Sequence, residues 1–301
     1  MKTFVKHGLW WALGAALVSG VSVYVNKFGV TQVKDPFVYT TLKNSLVAIG
    51  LLMTLGLAGW RELRAFTPRQ WAGWAALGLI GGGVPFLLFF QGLATASAPS
   101  AALIHKTLFL WVALLAVPLL GESLGWWQVA GLGVLAVGQF LLQPPSVWGW
   151  GSGETLILIA TLLWAVETIV AKKVLAGVSA RVAAFGRMGV GLIVMWAFLG
   201  LTGRAGSAVA LTGQQWLWVV ITSAFLMAYV WTWYAALKAA PATLVTSVLT
   251  LGAVITVLLT AILEGKGMTE AQAVAGLVML LGAVLFVLRP FMPRARVAEA
   301  K

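Results

Sequence analysis

Two stretches of the chain share the same order of aromatic, small and turn-forming residues. Residues 90–102 read FQGLATASAPSAA, and residues 234–246 read YAALKAAPATLVT, 144 positions later. Their common order at a near-constant spacing, together with further pairs around them, indicates an internal repeat. These further pairs are Lys43 with Arg187, Glu122 with Glu264, and VAGL at 129–132 with VAGL at 274–277.

The composition places both halves of the chain in a membrane. Of the 301 residues, 61% are apolar and only 9% are charged, against about 25% charged residues in an ordinary soluble domain. These proportions exclude a soluble globular enzyme, a disordered chain and a nucleic-acid-binding module. The sequence has no cysteine and two histidines, so we expect neither disulfides nor a thiolate or histidine metal centre. The fold class that follows is an all-α integral membrane protein.

The chain contains ten apolar runs of about 20 residues, the length that a helix needs to cross the hydrocarbon core of a bilayer. The first run lacks the short apolar core and small-residue cleavage site of a signal peptide, so we expect it to be retained. The repeat assigns five spans to residues 1–146 and five to residues 147–301. The ten runs lie at 8–30, 37–59, 70–92, 98–120, 125–143, 154–173, 181–202, 214–237, 241–263 and 270–289.

Positive charges are distributed unequally between the two sides of the predicted membrane. If the N-terminus is cytoplasmic, fourteen Lys and Arg residues fall in inner segments and four fall in outer segments. Because cytoplasmic loops of membrane proteins carry an excess of Lys and Arg, both termini are predicted to be cytoplasmic. We expect a multi-pass protein of the cell inner (cytoplasmic) membrane. The four outer residues are Lys27, Lys34, Arg204 and Lys266.

An odd number of spans in each unit means that the second unit enters the membrane upside down relative to the first. Inverted repeats of this kind are typical of secondary transporters, whose substrate site lies near the midplane where the units meet. We therefore predict ten transmembrane helices in two inverted five-helix repeats around a central cavity. Exchange of conformation between the two units would convert an inward-open state into an outward-open one.

Two kinds of turn recur at matching places in the two units. Small-residue turns lie at 94–101 and 238–243, and glutamate-containing turns read LLGESL at 119–124 and LEGKG at 263–267. In these turns and in its ten spans, nearly the whole chain resembles the EamA-type branch of the drug/metabolite transporter superfamily. The resemblance implies a transporter, often an exporter, and leaves the substrate open among amino acids, drugs, sugars, nucleotides and other metabolites. Lys43 departs from the family pattern, in which Arg is frequent at this place.

Glu167 lies midway along the sixth span among apolar neighbours. An acidic residue at the centre of a membrane helix costs about 3 kcal/mol, so it must be protonated, paired or in contact with water. One interpretation is a carboxylate that binds a coupling proton or cation, or a substrate ammonium group. The other is a structural ion pair with Lys106, Lys43 or Arg187. Trp164 shares a helix face with Glu167, and we predict that both residues bind substrate.

His105 and Lys106 lie about two turns inside the fourth span. Their side chains either line the cavity and bind a substrate carboxylate, or serve packing, with Lys106 extending to the membrane interface. An imidazole can also exchange protons near neutral pH. We predict that both residues belong to the substrate site.

Further site candidates come from the first, third and eighth spans. Tyr229 and Trp233 are four residues apart and share an aromatic face, which suits a planar or cationic ligand. Ser22 and Asn26 belong to a polar stripe in the first span, and Gln91 lies in the third. For each of them, substrate contact and packing between helices are the alternatives.

The sequence GGGVP at 81–85 interrupts the third span. Glycine and proline allow a kink in a membrane helix, and backbone groups freed there must be buried in protein or face water. We expect a hinge or a place where helices approach each other closely.

Together these features predict a secondary active transporter that exports an amino acid or a similar amphipathic metabolite by alternating access. The alternative is a channel-like facilitator or an uptake carrier for another metabolite class. The expected partners are a small-molecule substrate, the lipid bilayer, and a coupling proton or cation. We expect no cofactor, metal or nucleic acid. We expect no enzymatic activity, because nucleophiles, acid/base pairs and metal ligands are not grouped in the sequence.

Overall fold

The computed structural model describes residues 2–144, 150–208, 210–265 and 267–287, which form thirteen α-helices. No strand occurs in these ranges, which confirms the all-α prediction. A π-helical segment, Gly78–Gly83, joins α3 to α4, and a 3-10 turn, Ala205–Ala208, follows α9. The α-helices are α1 (Lys2–Gln32), α2 (Pro36–Arg64), α3 (Pro68–Leu77), α4 (Val84–Leu93), α5 (Ala98–Lys106), α6 (Leu108–Leu120), α7 (Trp126–Leu142), α8 (Ser152–Val174), α9 (Ala180–Leu201), α10 (Gly213–Ala239), α11 (Ala242–Leu249), α12 (Gly252–Leu263) and α13 (Glu270–Val287).

Ten helical stretches in the described ranges correspond to the ten predicted spans. Nine are long and apolar enough to cross a membrane, and the tenth, α7, is an apolar helix of 17 residues. Large apolar side chains such as Met53, Leu57 and Ile193 are exposed on the outside of the bundle, where lipid would contact them. The predicted boundary between the repeats, at 146/147, lies outside the described residues.

Polar residues at the helix starts bind backbone N–H groups that have no partner within the helix. Asp35 accepts hydrogen bonds from two N–H groups of α2, and Ser179 accepts one from α9. Thr67 and Gln70 form a capping box at the start of α3. Because the first four N–H groups of a helix are otherwise unpaired, these caps define where the spans begin.

Two spans are broken at matching positions of the two repeats. Thr107 separates α5 from α6, and Thr250 and Leu251 separate α11 from α12. These residues keep right-handed backbone angles, so each break loosens the helix without reversing the chain. Residues 107 and 251 are 144 positions apart, which is the spacing of the sequence repeat.

Helices of the two repeats pack on each other in a symmetric pattern. α1 packs on α10 and, correspondingly, α8 packs on α4; α2 packs on α9, and α7 packs on α13. In order of spans, the first pairs with the eighth, the sixth with the third, the second with the seventh and the fifth with the tenth. Exchanging the repeats leaves this pattern unchanged, in agreement with the predicted two-repeat architecture. The middle of the bundle is therefore an interface between repeats.

Candidate functional site

Glu167 lies in α8, and its side chain is enclosed by neighbouring helices. The residue is 1% exposed. The hydroxyl group of Tyr234, a fully buried residue of α10, donates a hydrogen bond to Glu167 Oε1 at 2.6 Å. Hydrogen bonds from a hydroxyl group to a carboxylate are short and strong, so Tyr234 directly satisfies one oxygen of the intramembrane carboxyl group.

The interrupted third span completes the surroundings of Glu167. A Cβ atom at Gly81 would collide with the Glu167 side chain, so a larger residue there would force that side chain to move. In an α-helix the Gly81 carbonyl would accept the N–H of residue 85, but Pro85 has no N–H. That carbonyl instead accepts Trp164 Nε1–H at 3.0 Å and Arg187 Nε–H at 3.4 Å. The segment 81–85 is therefore a close approach between helices.

Arg187, in α9, brings a positive charge to this group. The residue is buried, and its guanidinium interacts electrostatically with Glu167 while it bonds to the Gly81 carbonyl. In the described ranges, the ion pairs lie elsewhere, near helix ends. None of the alternative direct pairs of Glu167 with Lys106, Lys43 or Arg187 is formed there. We call Glu167, Tyr234, Trp164, Arg187 and Gly81 the Glu167 cluster.

Aromatic rings continue the Glu167 cluster around Trp164. The Trp164 ring lies 5.3 Å from that of Phe86, 5.5 Å from that of Phe89 and 4.9 Å from the imidazole of His105. His105 Nδ1 is buried and has no hydrogen-bond partner among the described residues. Lys106 is half-buried, and its ammonium group forms no ion pair or hydrogen bond within those ranges. The structure thus brings His105 and Trp164 together from different repeats.

Tyr229 and Trp233 form the predicted aromatic face on α10. Their rings are stacked, with centroids 6.1 Å apart and planes at 25°. Tyr229 interacts electrostatically with Arg187 and Glu167, which places it beside the Glu167 cluster. Trp233 is 2% exposed, and its Nε1 lacks a hydrogen-bond acceptor among the described residues.

Ser22 and Asn26 belong to a second polar group, between α1, α2 and α10. Asn26 Nδ2 donates to the carbonyl of Ser22 at 2.8 Å and to its Oγ at 3.1 Å. Asn26 Oδ1 accepts from the hydroxyl of Tyr39 at 2.9 Å and from Lys43 Nζ at 3.2 Å. The Tyr39 hydroxyl also lies 2.8 Å from Thr222 Oγ1. We call these five residues the Asn26 cluster.

Comparison with known proteins identifies the family. The chain matches the profile of the EamA-like transporter family twice, over residues 6–143 and 151–288. It belongs to that family. Each match covers one predicted repeat, and this EamA-like transporter is accordingly a multi-pass membrane protein.

Two similar proteins extend this comparison. The "Uncharacterized transporter in cobO 3'region" of Sinorhizobium sp is 28% identical over 134 residues, which are 44% of this chain and 93% of that protein. A protein of known crystal structure has a TM-score of 0.79 over 94% of this chain and 97% of its own, at 20% identity. The second similarity shows that the two chains share a fold.

Gln91 of this EamA-like transporter lies in neither polar cluster. It is exposed near the end of α4, and its side chain forms no hydrogen bond within the described ranges. The structure does not bring it to the other candidate residues, and its role in substrate binding stays a prediction.

Tyr234, Tyr39 and Thr222 are not among the site residues that the sequence alone predicts. A signal existed for Tyr234, because it occupies the repeat position of Phe90 and adds a hydroxyl group there. The sequence contains no comparable sign for Tyr39 and Thr222. Their hydroxyl groups form a hydrogen bond although the two residues are 183 positions apart in the sequence. Hydroxyl groups are common in membrane helices, and a single sequence does not show which of them meet.

Proposed function

We propose that this EamA-like transporter is a secondary active transporter that exports a small amphipathic metabolite, such as an amino acid, by alternating access. The substrate would bind in a central cavity between the two repeats. Both termini would lie in the cytoplasm, and the membrane would be the cell inner membrane. Glu167 would bind either the coupling proton or cation, or the ammonium group of the substrate.

The position of Glu167 is the observation that supports this proposal. Its carboxyl group lies in the bundle interior and touches Gly81 of the first repeat and Tyr234 of the second. A rocking movement of one repeat against the other would separate Glu167 from Gly81 and admit water or substrate. Ionisable groups at this depth are costly and are associated with ion and substrate pathways.

The surrounding rings suit an amphipathic substrate. Trp164, Tyr229 and Trp233 provide apolar surface, and their ring faces attract an ammonium group. His105 packs on Trp164 and has a free buried nitrogen among the described residues. Lys106, Ser22 and Asn26 complete the proposed set of substrate-binding side chains.

Counterflow in proteoliposomes tests this function. Purified protein is preloaded with a mixture of amino acids and organic cations, and the uptake of labelled compounds is followed with and without a pH gradient. Glu167→Gln is compared with Glu270→Gln, which removes an exposed carboxylate at the start of α13. We expect saturable exchange in the wild type and in Glu270→Gln, and loss of the pH dependence in Glu167→Gln.

The other outcomes separate the parts of the proposal. Flux that rises linearly with concentration and shows no counterflow would indicate a channel-like facilitator. Saturable exchange with an unchanged pH response in Glu167→Gln would assign Glu167 a structural role and refute its part in coupling.

A further inference from the structure

Lys43 is a buried cation in α2. The residue is 8% exposed, and its ammonium group donates to Asn26 Oδ1 at 3.2 Å and lies 5.2 Å from the centre of the Tyr39 ring. A lysine ammonium has three N–H donors. Within the described ranges only one of them has an acceptor, so two remain available to a ligand.

The helices around Lys43 supply no acidic residue. α1, α4, α9 and α10, which pack on α2 or bond to its side chains, contain no Asp or Glu. Asp35 at the start of α2 is paired with Arg204. Glu62 lies near the other end of α2, beyond a kink at Gly56, and accepts a hydrogen bond from the backbone N–H of Ser179.

The repeat shows what is missing beside Lys43. Arg187 occupies the same position in the second repeat and is also buried, but it interacts with the carboxylate of Glu167 on α8. The helix that corresponds to α8 in the first repeat is α1, and it contains no acidic residue. Buried charges are normally paired. At these matching positions, the first repeat therefore has only the cation Lys43, whereas the second repeat has the cation Arg187 together with the anion Glu167.

A hydroxyl group beside Lys43 has no hydrogen-bond partner within the described ranges. Thr40 lies three residues earlier on α2 and shares its helix face with Lys43. Its side chain is fully buried, and its Oγ1 has no hydrogen-bond partner among the described residues. A buried hydroxyl group without a partner costs about 1–3 kcal/mol, and an anion bound to Lys43 could accept a hydrogen bond from it.

We propose that Lys43 and Thr40 bind the carboxylate group of the transported compound, which supplies the negative charge that the first repeat lacks. The proposal rests on the transport function proposed above and narrows the substrate class to compounds that carry a carboxylate. It also differs from the sequence-based expectation, which gave the carboxylate to His105 or Lys106.

Direct binding tests the proposal without requiring transport. Phenylpropionate carries a carboxylate, whereas phenylethylamine carries none, and both have the same aromatic ring. Their binding to purified wild-type protein, Lys43→Gln, Lys43→Arg, Thr40→Ala and Lys106→Gln is measured by shifts in thermal unfolding. Lys34→Gln serves as the matched control, because it removes an exposed positive charge nine residues earlier.

We expect Lys43→Gln to weaken phenylpropionate binding by about tenfold or more, as expected for the loss of a charged hydrogen bond. Phenylethylamine binding should stay unchanged. Lys43→Arg keeps the charge and should bind phenylpropionate within about threefold of wild type, because a guanidinium also pairs with carboxylates. Thr40→Ala should weaken it about threefold and keeps the proposal testable if Lys43→Gln does not fold.

Three results would overturn the proposal: no saturable phenylpropionate binding to wild type, equal affinity in Lys43→Gln and wild type, or a loss confined to Lys106→Gln. Counterflow with the same variants then addresses transport. Phenylpropionate binding that depends on Lys43, without any counterflow, would refute the transport function but would support the anion site. Saturable counterflow of phenylethylamine, with no binding of phenylpropionate, would refute the anion site alone.

Discussion

Pro85 determines where the carbonyl group of Gly81 finds its hydrogen bonds. Because proline has no N–H, the helical acceptor four residues earlier stays free, and Trp164 and Arg187 donate to it from the other repeat. The carbonyl group that Pro85 leaves free thus connects the third span to α8 and α9 through these two hydrogen bonds. The same contacts hold Trp164 and Arg187 beside Glu167.

Tyr234→Phe removes the hydroxyl group that donates to Glu167 Oε1. The buried oxygen then lacks its donor, which should lower the free energy of unfolding by about 1–3 kcal/mol. We expect a lower midpoint of thermal unfolding and a slower initial rate of counterflow. Tyr24→Phe is the matched control, because Tyr24 is also buried but its hydroxyl forms no hydrogen bond within the described ranges. Equal effects of both substitutions would contradict the role of this hydrogen bond.

The π-helical segment Gly78–Gly83 allows the third span to lie directly against α8 and α9. Cβ atoms built at Gly81 and Gly82 would collide with Glu167 and with the backbone of Arg187. Glycines at these positions therefore serve close contact between helices of different repeats, which larger residues would hold apart.

Gly81→Ala places a methyl group against the side chain of Glu167. Overpacking of this kind costs about 1–3 kcal/mol, so we expect a lower midpoint of thermal unfolding and reduced counterflow. Gly133→Ala is the matched control. It measures the effect of replacing glycine by alanine in a helix without a collision, because a Cβ at Gly133 on α7 would meet no atom within 4 Å. Alanine there should be neutral or stabilising by up to about 1 kcal/mol. A stable, fully active Gly81→Ala variant would show that the helices can separate without cost.

The spans were predictable from the sequence, but their contacts were not. Apolar runs of membrane length identified all ten helical stretches, and the cost of an acidic residue in hydrocarbon identified Glu167. Its partner Tyr234 escaped prediction because lipid-facing and buried faces of a membrane helix are both apolar, so the sequence does not orient the helix. The breaks at Thr107 and Thr250 escaped because the apolar runs continue through them.

The two repeats share their packing but differ in charge. The pairing of spans is unchanged when the repeats are exchanged, and the broken helices lie 144 residues apart. Glu167 is present in the second repeat, whereas the corresponding helix of the first has no acidic residue. In the proposed mechanism, similar packing would let the repeats exchange conformations, and the difference in charge would give each half of the proposed site its own ligand group.

The orientation of the whole molecule is testable because the chain has no cysteine, so a single introduced cysteine gives an unambiguous label. Lys34→Cys places an exposed thiol just before α2, and Arg69→Cys places one in the first turn of α3, on the other side of that span. We expect a membrane-impermeant maleimide to label Lys34→Cys in intact cells, and Arg69→Cys only after permeabilisation. The reason is the excess of Lys and Arg in the segments that include Arg69, since such segments are retained in the cytoplasm.

Inverted membrane vesicles provide the control for this labelling, because they should reverse the two results. The opposite pattern in intact cells would place both termini outside and would reverse the proposed direction of transport relative to the fold. Equal labelling of both variants would mean that the chain inserts in two orientations. An inverted repeat could tolerate that, because its packing looks alike from either side. In that case only the orientation predicted from the distribution of Lys and Arg would be wrong, and the contacts of Glu167 and Lys43 would be unaffected.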